Sequence, residues 1–600
     1  KQNPAYGCLC GGLFFIAKLS GVSLRCMDFV EEQTMRRTVH IISIMTLIAA
    51  LFFCGDGGSD PAPVNAKYID PVDGTPEGDG SQTSPYKSFS QVTFEAGTSY
   101  LIKRGTVLYE QITVDVSGTA SAPIVIGAYG TGADPVIDGS ELIDDFGWTD
   151  EGGSVYSCIL PPTEFVGRGN VKINGAIQKF VTTATPGSGE YTIDSSGKVQ
   201  IYGEPSVSEV RLSRRYFGIK GSGVSYITIK DLHIRQESLH GIHFENSSNI
   251  IMQNCNIEMC GGAFIGSLQA GNGVEFGNSS SCCTVTGCTV SQIFDSGVTC
   301  QTYDNNKTAS GFTFSSNTIS ECGFAGVEIA VLSNGGKTGS SISDVSVTGN
   351  AITDCGSGFS GIRYYVDAEH PGEGRGIKIM ADDGAGTLSG VVVEQCTVES
   401  CEAGVFASGN TGEITIKRCR FVSNGYGVVA YDIQTASSLK LAVQSSLFLT
   451  NSIGFGFHVT NGNGFELYNN TFVNSVSCSI GVSAHSGMAG IKNNVLYSTA
   501  IIQQLNSVTL SSPSIDNNCY YIEGAGFIVY NSTLYNSLSS FNTAYSDFDG
   551  NSHVADPSFD VQYKPGSSFC RDGGTAISGV TSDYYGATFR NPPAIGAVEY

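Results

Sequence analysis

From about residue 230 onward the chain repeats one short phrase: a polar or cysteine residue, an outward residue, a large apolar residue, then a turn followed by Gly and Val or Ile. The large apolar positions are Ile234, Ile257, Val290, Ile319, Ile352, Val398, Phe421, Phe448, Phe472, Leu496 and Tyr520. Their successive separations are 23, 33, 29, 33, 46, 23, 27, 24, 24 and 24 residues. A floor near 23 matches one coil of three short strands and three turns, and each longer value is the same coil with a loop inserted at a corner. Alternation within strands sends every second side chain inward, and stacked coils repeat at the strand spacing of about 4.8 Å. The pattern therefore predicts an all-β chain wound as a single-stranded parallel β-helix. Residues 67–220 form its N-terminal cap and early coils, 221–545 its core, and 546–600 a C-terminal coil and cap.

The same period organises the cysteines. Cys255, Cys288, Cys396 and Cys419 each stand two residues before a large apolar position, so they face inward as one stack. Cys260, Cys322, Cys355 and Cys401 form a second column. Free cysteine packs as a small hydrophobe, and a thiol ladder is expected rather than disulfides or a zinc site.

Ahead of the coils, Met35, Arg36 and Arg37 open a basic stretch followed by the apolar run Ile41 to Phe53 and then Cys54. That run is short for a spanning helix and has the form of an export signal, so 35–54 is read as a signal peptide. Leu51-Phe52-Phe53-Cys54 resembles a lipoprotein cleavage box, making Cys54 the expected lipidation site, with 55–66 as a flexible linker. Residues 1–34 are read as an over-extended translation. The expected location is a lipid-tethered outer-membrane or cell-surface site, otherwise secreted or periplasmic, with the membrane touched only through the anchor.

Composition sharpens the functional class. Gly 76 with only 14% charged residues suits turns and short strands, and a formal net charge of -23 excludes nucleic acid as the partner. A monomer is expected.

The segments Tyr68 to Val92 and Val116 to Ser140, with Ala555 to Val561 and Arg590 to Tyr600 at the end, resemble the opening and closing segments of bacterial right-handed β-helix proteins of the pectate-lyase-like superfamily. The resemblance implies a right-handed pectin-lyase-like solenoid with N-terminal strand decorations. It implies a polysaccharide partner and carbohydrate-active chemistry, by β-elimination or by inverting hydrolysis, with Ca²⁺ as the cation some of its lyases use. Lyases, hydrolases, epimerases and non-catalytic binders share this fold, so an adhesin-like glycan binder is the competing class.

Chemistry is sought on the outward residues two steps after each repeat glycine. After Gly241, Gly273, Gly297 and Gly326 these are His243, Glu275, Thr299 and Glu328. The next is Arg363 if Gly361 keeps register, or Lys378 if Gly376 does; Phe406, Val429, Gly456 and Ser483 follow. Glu245, Gln301 and His458 lie one step further outward along their strands. Insertions at 261–272 and 357–375 would wall a groove, bringing Tyr364, Tyr365 and Arg375 beside it as substrate contacts. Glu275 and Glu328, two coils apart, would have stems about 10 Å apart, and Asp295 in the turn between them is a third carboxylate. A uronate lyase would instead use a base from Arg363, Lys378, Arg375 or His243. His240 reads as a turn residue, and the acidic pair Asp382 and Asp383 as a possible cation ligand or ordinary turn chemistry. A solvated charged face is the plain alternative, but charge clusters in five consecutive coils and then gives way to Phe, Val, Gly and Ser. The stretch 145–220 carries no chemical signature.

Overall fold

The computed structural model describes residues 65–600 apart from 144–146, 161–168, 182–184, 195, 266–267, 357–373, 383, 433–437, 461, 484–487, 499–500, 507–514, 523–526, 547 and 600. Cys54 and the export segment, Arg363, Tyr364, Tyr365 and Asp383 lie outside the described residues. No helix among the described residues is long and apolar enough to cross a membrane.

Three sheets of fourteen strands each carry the fold. A base sheet runs from Ala66–Ile69 to Ile515–Asp516, a side sheet from Val107–Leu108 to His553–Val554, and a front sheet from Ile112–Val114 to Thr533–Tyr535. The chain visits base, side and front in turn, as in Ser225–Lys230, His233–Arg235 and His240–Glu245, before returning to the base at Ser248–Gln253. Within each sheet neighbouring coils pair in parallel, with one antiparallel step at the last front strand.

Register follows the sequence period. The side-sheet centres Ile234, Ile257, Val290, Ile319, Ile352, Val398, Phe421, Phe448, Phe472, Leu496 and Tyr520 are successive partners. All of them are buried in one continuous core. The repeat glycines have a steric reason. A Cβ on Gly297 would stand 2.7 Å from the Gly326 carbonyl oxygen and 3.0 Å from Cys322 Sγ, so no larger residue fits where side sheet turns into front sheet.

Corners repeat as strictly as strands. The base-to-side corner places a left-handed residue in each coil, including Asp231, Asn254, Ser316, Gln395, Arg418, Ser445, Asn469, Asn493 and Asn517. The residue after it points inward and forms a ladder through the coils: Cys255, Cys288, Asn317, Asn350, Cys396, Cys419, Ser446, Asn470, Asn494, Asn518 and Ser552. Cys288 N–H donates to Asn317 Oδ1 at 2.9 Å, Cys419 N–H to Ser446 Oγ at 3.1 Å, and Asn470 N–H to Asn494 Oδ1 at 2.9 Å. Thiol, hydroxyl and amide thus share one slot, each supplying an acceptor to the N–H of the coil before it. All the described cysteines are free, and all but Cys282 are buried.

The long insertions share the side-to-front corner. Between Val136–Asp138 and Phe217–Ser222 the chain builds two small sheets, of four and five strands, spanning Ser140–Leu142 to Val210–Ser213. Two coils later the same corner extrudes the hairpin Ala263–Ile265 with Leu268–Ala270. At the far end the C-terminal segment folds back along the coils. Ser445 Oγ donates to Ser582 O, Asn469 Nδ2 to Ala594 O, Asn493 Nδ2 to Thr575 O, and Asn517 Nδ2 to Gly573 O, at 2.7, 3.0, 2.7 and 3.1 Å.

Candidate functional site

In the front sheet the outward column reads Lys220, His243, Glu275, Thr299, Glu328, Lys378, Phe406 and Val429 by direct pairing. The open register is settled: Lys378 follows Glu328. The column continues to Gly456 and Gly481, so Ser483 lies one step along, its hydroxyl 2.6 Å from His458 Nδ1.

The expectation of a solvent-facing column does not hold at its centre. Glu275 is 3% exposed, Glu328 5% and Thr299 0%, and strands Val274–Gly277 and Ala325–Val331 are buried on both faces. Part of the cover is identifiable. Phe294, immediately before Asp295, belongs to the apolar cluster of the N-terminal decoration, with Ile143, Tyr191 and Leu212. The segment without chemical signature therefore seats itself against the turn that holds Asp295.

His240 is not a turn residue. It opens strand His240–Glu245, is buried, and aligns with Asn272 and Ser296, the residues just before Gly273 and Gly297. These three tie the column together. Asn272 N–H donates to His240 Nδ1 at 2.9 Å, Asn272 Nδ2 to Glu275 Oε2 at 2.7 Å, and Ser296 N–H to Asn272 Oδ1 at 3.0 Å. Because His240 Nδ1 accepts, its neutral ring carries its proton on Nε2, 3.3 Å from Glu275 Oε2. His243 Nδ1 lies 3.5 Å from Glu275 Oε1, and the two imidazoles stack at 5.3 Å.

Thr299 Oγ1 is buried between Glu275 and Glu328 with no hydrogen-bond partner among the described residues. Beyond it, Ser296 Oγ donates to Glu328 Oε2 at 2.8 Å and reaches Asp295 Oδ1 at 3.3 Å, so one hydroxyl joins two carboxylates. Lys378 Nζ donates to Glu328 Oε1 at 2.8 Å and stands 4.2 Å over the Phe324 ring.

The charges can be counted. Among the described residues, three buried carboxylates share one lysine, and Glu328 holds that lysine. Burial and then the Glu328 charge push the Asp295 carboxyl well above its ordinary value. Glu275 lies below the ordinary carboxylate value: burial pulls it up, but His240, His243 and hydrogen bonds from Asn272 and Gln301 outweigh this. Burial brings His240 down to about 4, leaving a neutral hydrogen-bond donor near neutral pH.

The remaining expectations divide. Gln301 hydrogen-bonds Glu275, whereas Glu245 is held by Asn278 on the outer step of the same strands. Arg375 starts its strand paired with Glu402 at 3.4 Å and stacked 4.4 Å over Phe406, so it is engaged away from Glu275. The Asp382 carboxylate accepts from Ser333 N–H and Oγ at 2.9 and 3.2 Å, tying two loops.

Ca²⁺ does not fit these residues. It takes six to eight oxygens, while Glu328 is bound by Lys378 and the burial of Asp295 disfavours its charged form. His240, His243 and Glu275 do bring three ligand atoms within 4.8 Å of one another. Metal at His240 Nε2, however, would need that nitrogen's lone pair while Nδ1 faces the Asn272 N–H donor, and a neutral ring cannot satisfy both.

A family model described as the right handed beta helix region matches residues 168–329 and 270–496. Among curated protein sequences none matches the chain. Of solved structures, the complex of XylC with xylose is similar at 13% identity and TM-score 0.54, covering 89% of this chain and 98% of that one. The GH136 lacto-N-biosidase from Eubacterium ramulus is 13% identical with TM-score 0.43, covering 78% and 68% respectively. The pectate lyase Pel9A is 16% identical with TM-score 0.39, covering 90% and 97%. At such identities the likeness is one of fold.

Proposed function

Because this chain belongs to the right-handed β-helix family, whose stacked coils bring distant residues onto one face, we propose that it hydrolyses a glycosidic bond at the Glu275, Asp295 and Glu328 network. The observation that carries the reading is the pair of opposed carboxyl environments: burial and the Glu328 charge beside Asp295 favour its neutral form, while the imidazoles and amides around Glu275 favour its anion. A glycosidase needs one acid and one base. Asp295 protonates the departing glycosidic oxygen, and Glu275 takes the proton of the attacking water. Glu328 holds Asp295 protonated through its charge and is itself fixed by Lys378 and Ser296. Thr299, with its unpaired hydroxyl, takes a substrate hydroxyl or that water, and Gln301 orients Glu275. His240 and His243 keep Glu275 ionised.

Elimination from a uronate is the weaker chemistry here. Lys378 is committed to Glu328 at 2.8 Å, and a uronate carboxylate would enter beside Glu275 and Glu328. The second reading is a non-catalytic glycan binder, since the burial of Thr299 and Glu275 counts against turnover there.

Reducing-sugar release from a panel of glycans, without absorbance of an unsaturated uronate, is the expected result. Unsaturated product would establish the lyase instead, and binding without either signal would establish the binder. We place the protein at the cell envelope, tethered through Cys54; fatty-acid labelling that survives Cys54→Ala would refute the tether.

A further inference from the structure

A second cluster of charge lies across the side-to-front corner from the Glu275 network. There the side sheet meets the four-stranded decoration sheet around a cleft of about 220 Å³ lined by Asp138, Lys172, Glu209, Arg211, Arg235 and Gln236, with Tyr109 at its edge. Lys172 and Arg211 are direct antiparallel partners. Like charges facing each other across strands destabilise a sheet unless something compensates.

Among the described residues the compensation is incomplete. Arg235 Nε donates to Asp138 Oδ2 at 2.8 Å, and Arg211 Nε pairs with Glu209 while its guanidinium lies 4.4 Å over the Tyr109 ring. Lys172 makes no ion pair among the described residues. Burial, then the neighbouring Arg235, lowers its affinity for its proton, against the opposing charges of Asp138 and Glu258.

Gln236 makes the case for a ligand. Its side chain is 0% exposed, lines the cleft, and leaves both Nε2 and Oε1 without a hydrogen-bond partner among the described residues. A buried amide with neither group satisfied is destabilising, because it has given up its hydrogen bonds to water without replacement. The two orphans ask for complementary things: Nε2 for an acceptor, Oε1 for a donor.

We propose that this cleft binds a sugar-borne oxyanion, a carboxylate or sulfate ester on a sugar ring. The oxyanion answers Lys172, the guanidinium N–H groups left over on Arg211 and Arg235, and Gln236 Nε2, while a ring hydroxyl donates to Gln236 Oε1. An inorganic anion would leave Oε1 unsatisfied. The volume equals about seven waters, which suits one sugar unit rather than a chain. The site does not depend on hydrolysis at Glu275, because it needs only binding.

The test is titration of the whole protein with glucuronate, glucose 6-sulfate, inorganic sulfate and glucose, followed by calorimetry. Saturable binding of glucuronate or glucose 6-sulfate, with glucose silent and inorganic sulfate weaker, is expected; whichever acid binds tighter identifies the oxyanion. Lys172→Met should weaken it about tenfold or more, the loss of one charged hydrogen bond, while Lys172→Arg should hold it within a few-fold. Gln236→Met, which keeps the size of the side chain, should weaken the sugar acids more than inorganic sulfate, because the sugar acids lose both the Nε2 and the Oε1 contacts and inorganic sulfate only the first. No saturable binding of either sugar acid, equal binding of inorganic sulfate (an adventitious ion only), or undiminished binding by a folded Lys172→Met protein would each overturn the proposal.

Discussion

Asp295 and Glu275 differ in what surrounds them, and that difference makes two pH predictions. Asp295 is raised in the folded state, so it binds a proton that the unfolded chain releases; its contribution favours folding at low pH and is lost as pH rises through its folded value. Asp295→Asn removes that cost, so the variant should melt higher than the parent at pH 8, with the gap closing toward pH 4. Its turnover should fall about 10²- to 10⁴-fold, the range for loss of a general acid, with glycan binding retained. Turnover surviving in Asp295→Asn would remove the acid from the proposal. Glu275 is lowered, so the acid limb of the activity profile lies below ordinary carboxylate values. His240→Leu should move that limb to higher pH, because the carboxylate loses a donor at 3.3 Å. A profile that keeps its acid limb would make His240 merely structural. The column was legible at this scale because Gly241, Gly273, Gly297 and Gly326 mark register. His240 reads in the sequence as a turn residue, and Asn272 and Ser296 carry no signal of their own, because the position directly before each such glycine has no fixed chemistry along the repeat.

Among the elements, the base-to-side corner shows how much chemistry one slot accepts. Asn470 receives Ser446 N–H and donates to Val443 O and Asn494 Oδ1. Asn470→Leu should destabilise the fold by about 1–3 kcal/mol, the cost of leaving a buried N–H unanswered, read as a lower urea midpoint. Asn470→Ser should recover much of it, since Ser446 already fills that slot one coil earlier. Equal midpoints for the two variants would show that volume, not the acceptor, governs the ladder. The coil period and thiol columns could be seen in the sequence because they depend on local alternation. The cover over Asp295 could not, because it depends on how the inserted strands Val171–Ile173, Glu190–Ile193 and Val210–Ser213 fold back, and no period of the coil describes them.

For residues 65–600 taken whole, the returning C-terminal segment covers the outside of the last coils: Leu447 and Leu449 pack with Ala597 and Val598, and Val495 and Cys519 with Cys570 and Ile595. Removing residues 566–600 uncovers these side chains together. The truncated protein should elute as larger species on size exclusion and melt lower; a monomer of unchanged melting temperature would show that the segment is dispensable. The returning segment also has a mechanical meaning. One coil holds about 24 residues, roughly 80 Å of chain when drawn straight, and an unlatched stack pulled by its tail would pay out in steps of that length. Here the tail is bolted at Ser445, Asn469, Asn493 and Asn517. Tension on the last residue is therefore shared among four coils, and they should let go in a single rupture before any regular staircase begins.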